Sequence, residues 1–217
     1  MRNWFLLFFG CLFVSSSFSQ KYSFVTYSTE EGLPQSQVTA ITQDEKGYLW
    51  VGTFGGLAKF NGNSFSTFSS NEGLLNNRIT SLSLIDNTMW VGHDGGISFV
   101  KDNVISNIEF SGDGNDRSRN VSEIVEFKNK IFVSSNGGGL FVKEDNALKK
   151  IKLDSVGHEK IRAMVTYGDE LFLATRNGIL ISKDGKHFVQ SERFGNKSFS
   201  GIFVKDEVMV LSTFFEG

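Results

Sequence analysis

A single cysteine and a single proline stand in this 217-residue chain. The cysteine, Cys11, lies within an N-terminal apolar run, so the rest of the chain can form no disulfide and has no thiol for nucleophilic or metal chemistry. Charge of one sign is also missing: the net charge is -2 and no basic run occurs, which argues against electrostatically driven nucleic-acid binding. Only three histidines occur, His93, His158 and His187, far apart and without the spacing of converging metal ligands. No apolar stretch after residue 20 is long enough to cross a bilayer, and no segment there shows a helical period.

What is abundant is phenylalanine, at 22 residues, and glycine, at 23, the composition of strands joined by tight turns. The first residues read as something else. Arg2, an apolar run from Trp4 to Val14 and a small polar segment ending at Gln20 have the layout of a secretory signal peptide, residues 1–19. The FFGC around Cys11 is a weak match to a lipoprotein box, with a short apolar stretch before it. The expected location is exported, periplasmic or extracellular.

The remaining chain, 20–217, repeats. LWVGTFGGLAKF at Leu49–Phe60 returns as MWVGHDGGISFV at Met89–Val100. Anchors at Val38, Ile79, Val121, Ile161 and Phe199 are 41, 42, 40 and 38 residues apart. Each precedes a second anchor, Trp50, Trp90, Phe132, Phe172 and Val210, by 12, 11, 11, 11 and 11 residues. Two landmarks in phase over five copies mark a structural repeat. Each unit carries four β-rich segments with turn residues between them, which predicts an all-β fold: a β-propeller of four-stranded antiparallel blades of about 40 residues. YSFVTYSTEEGL at Tyr22–Leu33 matches NSFSTFSSNEGL at Asn63–Leu74, so residues 22–28 are expected to be an outer strand with no blade before it. Four full units and a fifth begun at Phe199 predict an incomplete ring in which that strand's partner lies beyond Gly217.

GLPQSQVTAITQDEKGYLWVGTFGGLAKFNG resembles the repeat of two-component regulator propellers, the extracellular sensor modules of bacterial histidine kinases and related regulators. The matching residues are Gly32, Leu33, Val38, Ile41, Asp44, Gly47, Leu49, Trp50, Val51, Gly52, Thr53, Gly56 and Leu57, and in the second unit Gly73, Leu74, Ile79, Asp86, Trp90, Val91, Gly92, Gly95 and Gly96. The third and fourth units depart, with Phe132 and Phe172 for tryptophan and Ser134 and Ala174 for glycine. The resemblance implies a periplasmic ligand-sensing module in a two-component protein, with membrane and kinase or regulator domains downstream. It also implies, for some members, a small ligand such as an oligosaccharide. A homodimer is the other expected association; no cofactor and no nucleic acid are expected.

Catalytic motifs are not found. GTFGGL lacks the lysine and following helix of a phosphate loop, and no Gly-x-Ser-x-Gly elbow occurs. Asp113–Asp116 departs from a calcium loop at Arg117. The paired acids sit in turns, and Trp50 and Trp90, in mid-strand, are expected to pack between blades rather than stack on sugars. The chain itself is therefore expected to be no enzyme; a secreted propeller lyase or hydrolase, or a protein-docking propeller, are the alternatives. In a four-stranded meander the second-to-third turns and the inter-blade connections share one face. There the copies differ most while their strands agree, the usual place for function on a repeat scaffold. The candidate ligand-binding residues are Phe54, His93, Asp94, Asn136 and Arg176 at the turns, and Arg78 and Arg119 in the connections.

Overall fold

The structure is a computed structural model that describes residues 24–110, 120–153 and 160–214. The signal-peptide reading, Arg119, His158 and the Asp113–Asp116 loop lie outside the described residues.

Among the described residues, short segments of β-branched and apolar residues punctuated by turns build eighteen strands in five blades. The first blade is β1 (Val38–Gln43), β2 (Leu49–Thr53), β3 (Gly56–Phe60) and β4 (Phe65–Phe68). The second is β5 (Ile79–Ile85), β6 (Thr88–His93), β7 (Gly96–Lys101) and β8 (Val104–Glu109). The third is β9 (Val121–Phe127), β10 (Lys130–Ser135), β11 (Gly139–Glu144) and β12 (Ala147–Ile151). The fourth is β13 (Ile161–Tyr167), β14 (Glu170–Thr175), β15 (Gly178–Ser182) and the short β16 (Val189–Gln190), and the fifth is the hairpin β17 (Phe199–Lys205) and β18 (Val208–Thr213). Every blade is an antiparallel meander in chain order. The first strands of successive blades pack on one another and so run along the inside of an open arc.

Turn chemistry sets the hairpins. Asp86-Asn87, Asp102-Asn103 and Lys128-Asn129 hold positive φ at both residues, the two-residue turn whose twist suits paired strands. The first blade instead uses a longer turn in which the Asp44 carboxylate accepts the amides of Lys46 and Tyr48 and the Trp50 indole N–H, each near 3 Å. That one longer hairpin accounts for its 12-residue anchor spacing.

The core is not within blades but between them. Trp50 packs with Ile79, Met89 and Val91 of the second blade, and Trp90 with Val121 and Ile124 of the third. Phe132 packs with Ile161 and Leu171 of the fourth, and Phe172 with Phe199 of the fifth. Trp50 is only 5% exposed, so the tryptophans are packing residues, as expected from their place in the strand. Burying each such ring is worth about 1.5–3 kcal/mol. The glycine that follows is needed for the same contact. A Cβ on Gly52 would lie 2.6 Å from Ile79 Cγ2, and one on Gly92 2.7 Å from Val121 Cγ1. Hydroxyls clasp the seams: Thr39 Oγ1 donates to the carbonyls of Gly52 and Ile79, at 3.0 and 2.9 Å, and Ser122 Oγ to that of Ile161 at 2.9 Å.

Residues 24–28, the described part of the expected outer strand, carry no strand pairing among the described residues. They are nonetheless placed as in the repeat. Tyr27 packs edge-on against Phe60 and Phe65. Ser28 donates its amide and hydroxyl to Glu31, as Ser69 does to Glu72 one unit later. Leu33 and Leu74 are then buried alike.

Candidate functional site

The strand directions put the β2–β3, β6–β7, β10–β11 and β14–β15 turns on one face, together with the connections between blades. Backbone bridges tie two of these turns to the next blade's entry: Asp94 to Asn120, and Asn136 to Lys160. At the first seam the tie is made by side chains. The Arg78 guanidinium donates from Nη1 to both Asp94 carboxylate oxygens, at 2.9 and 2.8 Å, and lies 4.4 Å from the centre of the Phe54 ring. Three of the expected residues, Phe54, Arg78 and Asp94, thus form one aromatic–cation–carboxylate stack across two blades. Such a half-exposed pair adds about 0–1 kcal/mol of stability, so its main effect is to fix where the guanidinium sits. A cavity of about 320 Å³ opens beside it, lined by Leu75, Asn76, Asp94, Gly95 and Glu109.

His93 differs from the expectation of a ligand-facing residue. It is 0% exposed. Its Nε2 lies 2.8 Å from Ser98 Oγ, which accepts the Leu75 amide and donates to Asn107 Oδ1. Asn107 in turn donates to the Gly73 carbonyl. Burial lowers the His93 pKa to about 4, against the opposing pull of the Arg78 and Asn76 backbone and of Asp94. The ring is neutral and structural: it holds the 73–78 connection that presents Arg78. The site's third and fourth turns carry Asn136 and Arg176, both exposed. They stand on the same face but are not drawn into the Arg78 cluster.

Glu123 is a residue that the sequence reading passed over. It is the third residue of its inner strand, where the other copies have Ala40, Ser81, Ala163 and Gly201. Half-buried on the inside of the arc, it has its pKa raised to about 7 by burial alone. The signal was available as the one large acid in a column of small residues.

The opposite face has its own cavity, about 270 Å³, lined by residues including Asp44, Trp50, Lys59, Asp102 and Asn103. Its most buried acid is already committed. Burial pushes the Asp44 pKa up, but the Trp50, Tyr48 and Lys46 hydrogen bonds and nearby Lys59 outweigh this and hold it below the ordinary range. Lys59 is likewise held, over the Tyr48 and Trp50 rings. That cavity is lined by groups engaged in holding the blade together.

Fold and comparisons agree on the class: the chain is a β-propeller, built of repeated blades in an open arc. It superposes on the extracellular domain of a protein described as a hybrid two component system from B. thetaiotaomicron with a TM-score of 0.69 and 20% identity, over 82% of this chain and 26% of that one. It also superposes on virginiamycin B lyase from Staphylococcus aureus, with a TM-score of 0.67 and 13% identity, over 82% of this chain and 63% of the lyase. Residues 32–55 match the model of the two component regulator propeller family. A histidine kinase P4 from Formosa agariphila is 42% identical over 53 residues, 24% of this chain and 4% of that protein. The chain thus spans a small part of the signalling proteins it is similar to.

Proposed function

We propose that this propeller is the exported ligand-sensing module of a two-component signalling protein, binding a small ligand such as an oligosaccharide on the turn face. Binding there would pass a signal to a downstream kinase or regulator. The observation that carries this reading is the regulator-propeller repeat at residues 32–55, in a fold shared with extracellular domains of hybrid two component systems. The aromatic–cation–carboxylate stack of Phe54, Arg78 and Asp94 gives that face polar and planar groups suited to a sugar ring. A glycan array tests the reading. The wild-type chain should retain a defined set of glycans, Arg78→Ala should weaken them about ten-fold or more, and Lys46→Ala on the opposite face should leave them unchanged. Equal binding by all three proteins would reject the face.

A second reading, a propeller enzyme, draws on the likeness to virginiamycin B lyase. Conversion of a bound glycan to a shorter or unsaturated product would establish it.

A further inference from the structure

Three positions of each unit reach the turn face at the inner end of a blade: the residue before the first strand, the second residue of that strand, and the residue after the second strand. In chain order the first series is Gln37, Arg78, Asn120, Lys160 and Ser198. The second is Thr39, Thr80, Ser122, Arg162 and Ser200, and the third is Phe54, Asp94, Asn136, Arg176 and Phe214. Only the fourth blade has a cation at all three. The second blade has one, Arg78, and Asp94 neutralises it.

The backbone places all three at one strand end. Ile161 pairs with Thr175, so Lys160 and Arg176 flank the same strand end, and Arg162 is two residues along from Lys160. Lys160 also bridges to Asn136 of the third blade, which places that amide beside the cluster. At the position of Arg162, Thr39 and Ser122 use hydroxyls to clasp the next blade. Arg162 instead lays its guanidinium 4.1 Å from the centre of the Phe214 ring, and its Nε is buried without a hydrogen-bond partner. None of the three cations has a carboxylate partner among the described residues. In a chain of net charge -2 this is not a general basic surface but a local one.

Three cations at one strand end, without a carboxylate partner among the described residues, favour a bound anion there. Guanidinium groups, one of them backed by an aromatic ring, offer the forked donors that match a carboxylate or a sulfate. We infer that the fourth blade's inner end, Lys160, Arg162 and Arg176, is a subsite for the anionic group of an acidic oligosaccharide. This rests on the sugar-sensing reading of the turn face and names the class of its ligand. Neutral sugars would meet the Phe54 stack but leave the cationic end unfilled.

Calorimetry on the full chain tests this with three probes of equal length: an oligogalacturonate, a sulfated galactan oligosaccharide and a neutral galacto-oligosaccharide. At least one acidic probe should bind ten-fold or more tighter than the neutral one, and more weakly as salt rises. Which acidic arm binds tells a carboxylate from a sulfate ligand. Lys160→Gln and Arg176→Gln, both exposed positions that should not disturb folding, should each weaken that probe roughly ten-fold. Lys46→Gln on the opposite face should not. Equal affinity for acidic and neutral probes, unchanged by Arg176→Gln, overturns the subsite while leaving the sensing reading intact. Binding of none of the three overturns the subsite too, and the glycan array then decides the broader reading.

Discussion

Two titratable side chains, one half-buried and one fully buried, pull the stability of this propeller in opposite directions with pH. Glu123 has a pKa raised from 4.5 to about 7 by burial. The folded state therefore binds its proton more tightly, so its contribution is fully present below about pH 4.5 and is lost as pH rises through 7. His93 has a pKa lowered from 6.5 to about 4, chiefly by burial. Its contribution is fully present above pH 6.5 and is lost as pH falls toward 4. Between about pH 4.5 and 6.5 the two slopes cancel. Glu123→Gln should unmask the histidine: the variant should match wild type near pH 4.5 and exceed it by on the order of 1–3 kcal/mol at pH 8. Urea unfolding at three pH values measures this, and an offset independent of pH would show that Glu123 is not desolvated in the fold. Neither behaviour could be read from the sequence. His93 stands beside Asp94 in a turn, and only the buried Ser98–Asn107 relay shows that it faces inward.

At the scale of the strand, the small residue after Trp-Val is a packing requirement. Gly52→Ala should cost about 1–3 kcal/mol, because its Cβ would press on Ile79 at 2.6 Å and the seam must shift. The matching Ala174→Gly, in a blade already spaced for a methyl group, should cost about 1 kcal/mol or less. Thermal melts of the two variants check the contrast, and equal losses would contradict it. These strands were legible because their landmarks recur: tryptophan or phenylalanine, a small residue, then a turn. The turn-face assignment was legible too, since strand count alone decides which turns share a face. What could not be read was side-chain pairing across seams. Arg78 meets Phe54 and Asp94 from 24 and 16 positions away in sequence, and no local pattern announces that.

At the scale of the molecule, the arc leaves its two end faces open. Ile41 of the first blade is 64% exposed, whereas Ile124, at the same strand position in the third blade, is 2% exposed under the second blade. Phe203 and Val210 are exposed on the last hairpin. Ile41→Ser should therefore change stability by less than about 1 kcal/mol, while Ile124→Ser should cost about 3–4 kcal/mol or more. Chemical denaturation of the pair measures whether blades are stabilised by their neighbours; comparable losses would mean that Ile41 is covered.

Hydrogen exchange with and without a glycan retained on the array shows where on the propeller the ligand sits. Ligand should slow exchange in peptides spanning 54–56, 94–96, 136–139 and 176–178, and leave the opposite hairpins at 44–48, 86–87 and 102–103 unchanged. Protection confined to those opposite hairpins would put the ligand away from the turn face.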